Sequence, residues 1–313
     1  MKHLFIINPT AGKGKNAAVV QRRIEEAMSE RGEPFEIYIT AAPMDACAKV
    51  KKEAEKGEKL RIYACGGDGT LNECVNGAAG FENAAVTHYA CGSGNDFVRM
   101  FGDDAPLFSD INALVDGKIF PLDIIDACGR KAVNVFSLGF DARVGTTVHE
   151  YTGCPLISGS LGYVVSLIVN VVRGINSPLH MKINGEELDG EFALVCACNG
   201  RFYGGGFNPV PDAEPDDGYI DVLVVNKVSR LRFMSLVGKY AKGRYAEMGS
   251  LITRYRCTEA SFESPEPIPV NLDGECVFSK TPYFRIIPGG VNFIAPAASK
   301  FAVSRMAKTE ACV

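Results

Sequence analysis

Over the first 120 residues, short apolar runs alternate with stretches of helical spacing. Residues 4–7 are continuously apolar. Residues 16–31 place Val20, Ile24, Ala27 and Met28 at helical intervals and stop at Gly32. Residues 35–39 read as a strand of period two, and 44–56 predict a helix closed by Gly57. Residues 60–65 are apolar, 71–79 helical and 85–91 apolar again. This alternation predicts an α/β domain whose parallel sheet carries helices on its faces, with ligands bound beyond the carboxyl ends of the strands.

After about Pro121 the pattern changes. Strand-like runs at 123–127, 132–137, 179–183, 191–197, 218–225, 256–263 and 269–272 follow one another with turn signals between them. Asn184-Gly185 is a hairpin signal. Helical patches at 161–173 and 231–245 interrupt the series. This half predicts a mostly antiparallel β-sandwich, with the boundary near residue 122.

A chain of 313 residues, 47% hydrophobic and 22% charged, is long enough for two such cores. A net charge of −4 argues against a nucleic-acid binder. The first residues, MKHLFIINPT, lack the apolar region of a signal peptide. The longest apolar run, 164–172, is broken by Ser166 and Asn170 and falls short of the ~20 residues of a membrane span. The 11 cysteines are scattered without a CxxC pair, which fits buried thiols in a reducing cytoplasm rather than disulfides or zinc ligands.

Candidate chemistry starts in three glycine-rich loops, each following an apolar run. They are Asn8-Pro9-Thr10-Ala11-Gly12-Lys13-Gly14-Lys15, Gly66-Gly67-Asp68-Gly69-Thr70 and Gly92-Ser93-Gly94-Asn95-Asp96. Each alone is more often just a turn, and none has the Walker A or GxGxxG order. Together, at successive strand ends of a parallel sheet, they suit phosphate. Glycines admit close backbone approach, Lys13 and Lys15 add charge, and Thr10, Thr70 and Ser93 add hydroxyls. Asp68 either caps the helix that follows or faces a magnesium ion on nucleotide phosphates.

These motifs resemble the diacylglycerol kinase catalytic domain family. Asn8-Pro9 with Gly12 and Lys13, GGDGTLNECVNG and GSGNDFVR carry the likeness in the first half. In the second half, Asn199-Gly200 precedes Tyr203-Gly204-Gly205-Gly206, and Val210-Pro211-Asp212-Ala213, Asp216-Asp217-Gly218 and Asn271-Leu272-Asp273-Gly274-Glu275 follow. The resemblance is to soluble bacterial lipid kinases and to sphingosine and ceramide kinases. GGDGT alone is shared with NAD kinases and related to the phosphofructokinase signature, so a fold of that type is implied for the first domain. The third loop reads GSGN, as in the sphingosine kinase branch, where many bacterial diacylglycerol kinases have Thr at the second position. That leaves the substrate branch open.

The resemblance implies residues 1–122 with a C-terminal segment of about 290–313 as the nucleotide domain, and 123–289 as the lipid-substrate domain. It implies ATP bound between them, with Asn8, Thr10, Gly66, Gly67, Asp68, Gly69, Thr70, Ser93, Asn95 and Glu275 on the nucleotide side. Asp68 would reach a catalytic Mg²⁺ through water. Lys15, Asp96 and Arg99 would form a charged cluster, or else a surface salt bridge. Asp273 would be the catalytic base, although Asp-Gly after a strand also reads as a turn. Residues 212–219 concentrate carboxylates at a cost that a cation would relieve. The family's arrangement there is a structural Mg²⁺ on Asp217, with the backbone carbonyls of Glu214 and Tyr219.

A lipid kinase without a membrane span must dock on the bilayer. Arg230, Arg232, Lys239, Lys242 and Arg244, interleaved with Leu231, Phe233, Leu236, Val237 and Tyr240, read as a basic amphipathic segment or as an ordinary covering helix. Residues 156–172 suit an acyl pocket or a core. The expected protein is an ATP- and Mg²⁺-dependent lipid kinase acting on diacylglycerol or a relative, cytoplasmic and transiently at the inner membrane surface. A homodimer is the family's common form. The alternatives are an NAD or other small-molecule kinase sharing GGDGT, and a catalytically silent nucleotide-binding regulator.

Overall fold

The computed structural model describes residues 1–14, 17–152 and 169–311, which divide into two compact units. The first comprises Met1–Ile124, Gly204–Gly206 and Pro288–Val313, the second Ile125–Tyr203 and Phe207–Ile287.

In the first unit, β1 (Lys2–Ile7), β2 (Phe35–Ile39), β3 (Leu60–Gly66) and β4 (Ala84–Ala90) form parallel ladders in the order β4-β3-β1-β2. All seven residues of β3 are buried, as a central parallel strand covered on both faces requires. The crossovers are the helices Ala17–Arg31, Asp45–Ala54 and Asp68–Ala78. The first buries the stripe Val20, Ile24 and Met28, and Gly32 ends it at φ +66°. A fifth parallel strand comes from the far end of the chain: Asn292 and Phe293 pair with Ala85 and Val86. Thr87 Oγ1 donates to the Ile294 carbonyl at 2.7 Å. Phe293 packs on Phe97 and Phe101, and Phe101 meets Phe301 of the terminal helix Lys300–Ala311. One aromatic cluster therefore fixes the segment after β4 to the C-terminal strand and helix.

The second unit is antiparallel. Two strands run into it from the first unit, β5 (Lys118–Ala127) and the one later numbered β15 (Tyr283–Ala295). The remaining strands are β6 (Arg130–Ala132), β7 (Val135–Gly139), β8 (Ser177–Ile183), β9 (Glu186–Cys198), β10 (Ile220–Asn226), β11 (Ile252–Cys257), β12 (Glu259–Glu263), β13 (Ile268–Leu272) and β14 (Glu275–Ser279). Their order is β14-β13-β7-β9-β8-β12-β15, and β10 pairs with both β9 and β11. Asn184 and Gly185, both at positive φ, close the β8–β9 hairpin as their dipeptide predicts. The fold is thus a parallel α/β part followed by an antiparallel β-sandwich part.

Several elements depart from the pattern-based expectation. One strand was expected over 256–263, but Thr258 and Glu259 are both exposed between buried Cys257 and Ala260. The period of two slips there, so β11 serves β10 while β12 serves β8 and β15. The run 132–137 breaks at Val133-Asn134, whose N–H groups turn to a side chain. The helix expected over 231–245 ends at Tyr240, with Gly243 at φ +67° and a 3-10 turn, Tyr245–Leu251, beyond it. Helix Phe140–Thr152 follows β7 directly, and the sequence pattern gave no notice of it. The patch 161–173 and the candidate acyl segment 156–172 lie mostly outside the described residues.

Candidate active site

The three glycine-rich loops leave the carboxyl ends of β1, β3 and β4, the ligand-binding edge of a parallel sheet. Backbone bonds knit them together. Asn8 N donates to the Cys65 carbonyl at 3.0 Å, and Cys91 N and Gly92 N both donate to the Gly66 carbonyl at 3.0 and 2.9 Å. A Cβ on Gly92 would lie 2.3 Å from Gly67 Cα, and one on Gly66 would lie 2.2 Å from Thr70 Oγ1. Both glycines are therefore required by contact between the loops and with the helix. Asn8 Nδ2 donates to Thr70 Oγ1 at 3.1 Å, and Thr10 bonds back to Asn8 Oδ1 through N and Oγ1 at 3.0 and 2.8 Å. Thr70 is buried, whereas Thr10, Gly69 and Ser93 are exposed along the same edge. Asn95, at φ +53°, exchanges two hydrogen bonds with Gly92 and so closes its own loop. Lys15 and the side chain of Lys13 lie outside the described residues.

Asp68 opens the helix Asp68–Ala78, but the N–H its carboxylate accepts belongs to another segment. Its Oδ1 accepts from Phe97 N at 3.2 Å, in the turn Asp96–Arg99. A Cβ on Gly94 would stand 2.8 Å from its Oδ2, so the missing side chain keeps space open beside that oxygen. Asp96 is buried. Its Oδ2 accepts from Gly205 N at 2.6 Å, and Arg99 Nε lies 3.1 Å from its Oδ1. Burial pushes the Asp96 carboxyl above its ordinary range, with the nearby Asp68 charge adding to that. The Asp96–Arg99 pair is thus joined by the Gly204–Gly206 backbone, which groups with this unit although its chain neighbours group with the other. His88, missed in the sequence, is fully buried on β4 with Nε2 3.1 Å from the Gly66 carbonyl. Burial holds it below its ordinary pKa, so it supports the double-glycine turn as a neutral ring.

The second unit holds Asp273 and Glu275. Asp273 sits in the left-handed region at φ +52°, beside Gly274 at φ +97°. Its Oδ2 accepts from Val133 N at 2.8 Å, and its Oδ1 accepts from Asn134 N at 3.0 Å and Val135 N at 2.8 Å. Three backbone donors thus fix the orientation of this carboxylate. Gly200 lies against Asn134, where a Cβ would fall 1.9 Å from the amide oxygen. Glu275 is exposed, 3.7 Å from Arg130 Nη1.

The acidic stretch 212–219 meets cations of the chain itself. Arg254 pairs with Asp212 at 2.9 Å, Arg201 with Glu214 at 2.6 Å and Arg256 with Asp217 at 2.5 Å. The other Asp217 oxygen accepts from Tyr219 N at 3.0 Å, and the Arg256 guanidinium lies over the Tyr219 ring. Among the described residues no group of three or more His, Cys, Asp or Glu side chains is placed to hold a metal. In this arrangement arginine meets the charge density that suggested a cation, with Asp217 shared between Arg256 and the Tyr219 N–H.

An apolar cavity of about 60 Å³ lies inside the second unit, lined by Phe140, Val144, Leu194, Phe233 and Tyr240 among others. Asp141 also lines it, with Oδ1 accepting from Ala142 N at 2.7 Å and Oδ2 buried without a hydrogen-bond partner. Burial pushes its carboxyl up to about 7. The sequence gave no signal for it beyond one Asp after an apolar run.

Residues 2–127 match the diacylglycerol kinase catalytic domain, and residues 134–295 match the YegS C-terminal NAD kinase beta sandwich-like domain. A diacylglycerol kinase of Staphylococcus carnosus is 25% identical over 276 residues, covering 87% of each chain. A probable lipid kinase, YegS-like, of Stenotrophomonas maltophilia is 28% identical over 278 residues, covering 85% of this chain and 88% of the relative. A crystal structure of a diacylglycerol kinase from Bacillus anthracis shares the fold, with a TM-score of 0.68 at 22% identity over 95% of this chain and 97% of the other.

Proposed function

The chain belongs to the kinase family built from a diacylglycerol kinase catalytic domain and a YegS C-terminal NAD kinase beta sandwich-like domain, and we propose that it phosphorylates a hydroxyl of diacylglycerol or a close relative with ATP. The observation that carries this reading is the closure of three glycine loops on one sheet edge around Asp68, with Gly92 packed on Gly67. The glycines let the loops meet this closely, and at Gly69, where nothing lies within 4 Å of a Cβ position, phosphate oxygens can approach the backbone.

In this reading Asn8, Thr10, Ser93 and Asn95 border the phosphates together with residues 66–70. The space that Gly94 leaves beside Asp68 Oδ2 suits a hydrated cation, so Asp68 would hold Mg²⁺ through water. When bound, that ion neutralises charge on the phosphates. Asp96 and Arg99 position the loop that supplies the Asp68 partner Phe97.

Asp273 is the proposed base. As the acceptor oxygen bonds to the γ-phosphorus, the bond from that phosphorus to the β-bridging oxygen breaks, and the hydroxyl proton passes to Asp273. The donors at 133–135 hold the carboxylate in place for this role. Glu275 is assigned to the nucleotide in the same reading. Residues 1–122 with about 290–313 form the nucleotide domain in it, and 123–289 the lipid domain.

The test is a phosphoryl-transfer assay with labelled ATP, Mg²⁺ and detergent-dispersed diacylglycerol, monoacylglycerol, ceramide, sphingosine and phosphatidylglycerol, with NAD as control. Label on one lipid is expected and names the acceptor. Label on NAD alone would replace this reading with a small-molecule kinase. ATP binding without any product would leave a nucleotide-binding regulator.

A further inference from the structure

Among the described residues no helix is long and apolar enough to cross a membrane. A lipid acceptor must therefore be met at a surface, and the inference that follows rests on that lipid-kinase reading. Helix Arg230–Tyr240, RLRFMSLVGKY, carries no acidic residue in a chain of net charge −4. Its inward stripe, Phe233, Leu236, Val237 and Tyr240, roofs the apolar cavity, with Phe233 edge-on to Phe140 at 4.6 Å.

The opposite side carries a second apolar ridge. At 3.6 residues per turn, Leu231 stands directly across the helix from that stripe, with Met234 beside it. Leu231 is 87% exposed and Met234 47%. The same geometry puts Arg230 on one flank of the ridge and Arg232 with Lys239 on the other. Arg230 donates to the Val171 and Val172 carbonyls at 2.9 and 2.8 Å, which ties Val172, 67% exposed, beside the start of the helix. Those partners are uncharged, so the Arg230 cation stays uncompensated by them. Glu247 meets Lys239 and Arg244, at 3.3 and 2.5 Å. Single exposed apolar residues are ordinary. Three of them in one neighbourhood, flanked by cations and backed by a packed inner face, match an element that lies in the headgroup boundary of an anionic bilayer.

We propose that helix Arg230–Tyr240 is a membrane-docking element, with Leu231, Met234 and Val172 entering the bilayer boundary and Arg230 and Arg232 meeting anionic headgroups. The test is co-sedimentation of the full chain, without nucleotide, with vesicles of phosphatidylglycerol and phosphatidylcholine or of phosphatidylcholine alone. The wild type is expected on the anionic vesicles, at least tenfold more than on the neutral ones, with binding that falls as salt rises. The double variant Leu231→Ser/Met234→Ser and the single variant Arg232→Glu are each expected to lose at least tenfold in partition. Both should keep full phosphorylation of a detergent-dispersed acceptor. No wild-type binding to anionic vesicles, or variants that bind as the wild type does, would overturn the proposal. So would sedimentation showing that the double variant dissolves a dimer while vesicle binding persists. Failure of the kinase reading registers separately, as docking intact with no phosphoryl transfer.

Discussion

Asp68 and Phe97, 29 positions apart, are joined by a hydrogen bond of 3.2 Å from the Phe97 backbone to the Asp68 carboxylate. A residue at the head of one helix thereby anchors the first turn of the next segment. The same carboxylate keeps its second oxygen beside the space that Gly94 leaves empty. In the proposed function the structural and chemical roles fall to different oxygens of this side chain, so substitution can separate them.

Asp68→Asn keeps an oxygen for the Phe97 N–H and removes the charge. The melting temperature should stay within a few degrees of wild type, while kcat for lipid phosphorylation falls by about 100-fold or more. A folded Asp68→Asn enzyme with wild-type kcat would remove Asp68 from the chemistry.

Gly92→Ala puts a methyl where backbone already stands, 2.3 Å from Gly67 Cα. The loops must separate, at a cost of about 1–3 kcal/mol in stability. Weaker ATP binding should accompany it. Chemical denaturation and nucleotide titration of the same sample check both effects, and Gly238→Ala, where a Cβ meets nothing within 4 Å and which lies away from the glycine loops, is the control.

Asp273 is a test of base against anchor. Asp273→Asn keeps an acceptor for the Asn134 and Val135 N–H groups but sets an amide nitrogen against Val133 N, so it should lose about 100-fold or more in kcat at a cost of about 1 kcal/mol in stability. Asp273→Ala abandons those donors and should also cost about 1–3 kcal/mol. If Asp273→Asn is fully active while Asp273→Ala is merely unstable, the carboxylate is an anchor.

Asp141 should set a pH dependence of stability. Its folded pKa of about 7 lies above the ordinary 3.8, so the folded state binds its proton more tightly than the unfolded chain does. Its stabilising contribution is full below about 3.8 and is lost as pH rises through about 7, by a few kcal/mol at most. Urea midpoints measured from pH 4 to 8 should fall for wild type and fall less for Asp141→Asn, which should be the more stable of the two at pH 8.

The 212–219 loop should not need a metal. EDTA is expected to leave the melting temperature of the nucleotide-free protein unchanged, because Arg201, Arg254 and Arg256 already meet its carboxylates. A drop of several degrees, restored by Mg²⁺, would return the ion to the loop. Arg256→Ala should expose the missing charge and lower the melting point.

The parallel part was legible because β3 is buried at every position and its helices stop at glycines, both local signals. Much of the antiparallel part was not. The break at Thr258 depends on which face its neighbours cover, and Val133 and Asn134 leave the ladder to serve a residue about 140 positions away. Within the site, Asp68 was visible from its glycines, but its partner Phe97 was not. His88 and Asp141 matter through burial alone, and single polar residues in apolar runs carry no such mark. At 212–219 the sequence showed the carboxylates but not the arginines that meet them, which lie at 201, 254 and 256.

The strand that completes the parallel sheet is made last. Thr87 and the Ile294 carbonyl it binds are 207 positions apart. At ~5–20 residues per second, β4 emerges from the ribosome roughly 10–40 s before its neighbour exists. During that interval one side of an apolar strand is an unpaired edge, open to any other strand. The nascent chain therefore carries a window for mispairing or chaperone capture, set by gene order rather than by final stability. A circular permutant that starts at the C-terminal strand would shorten that window and should raise soluble yield at equal thermodynamic stability.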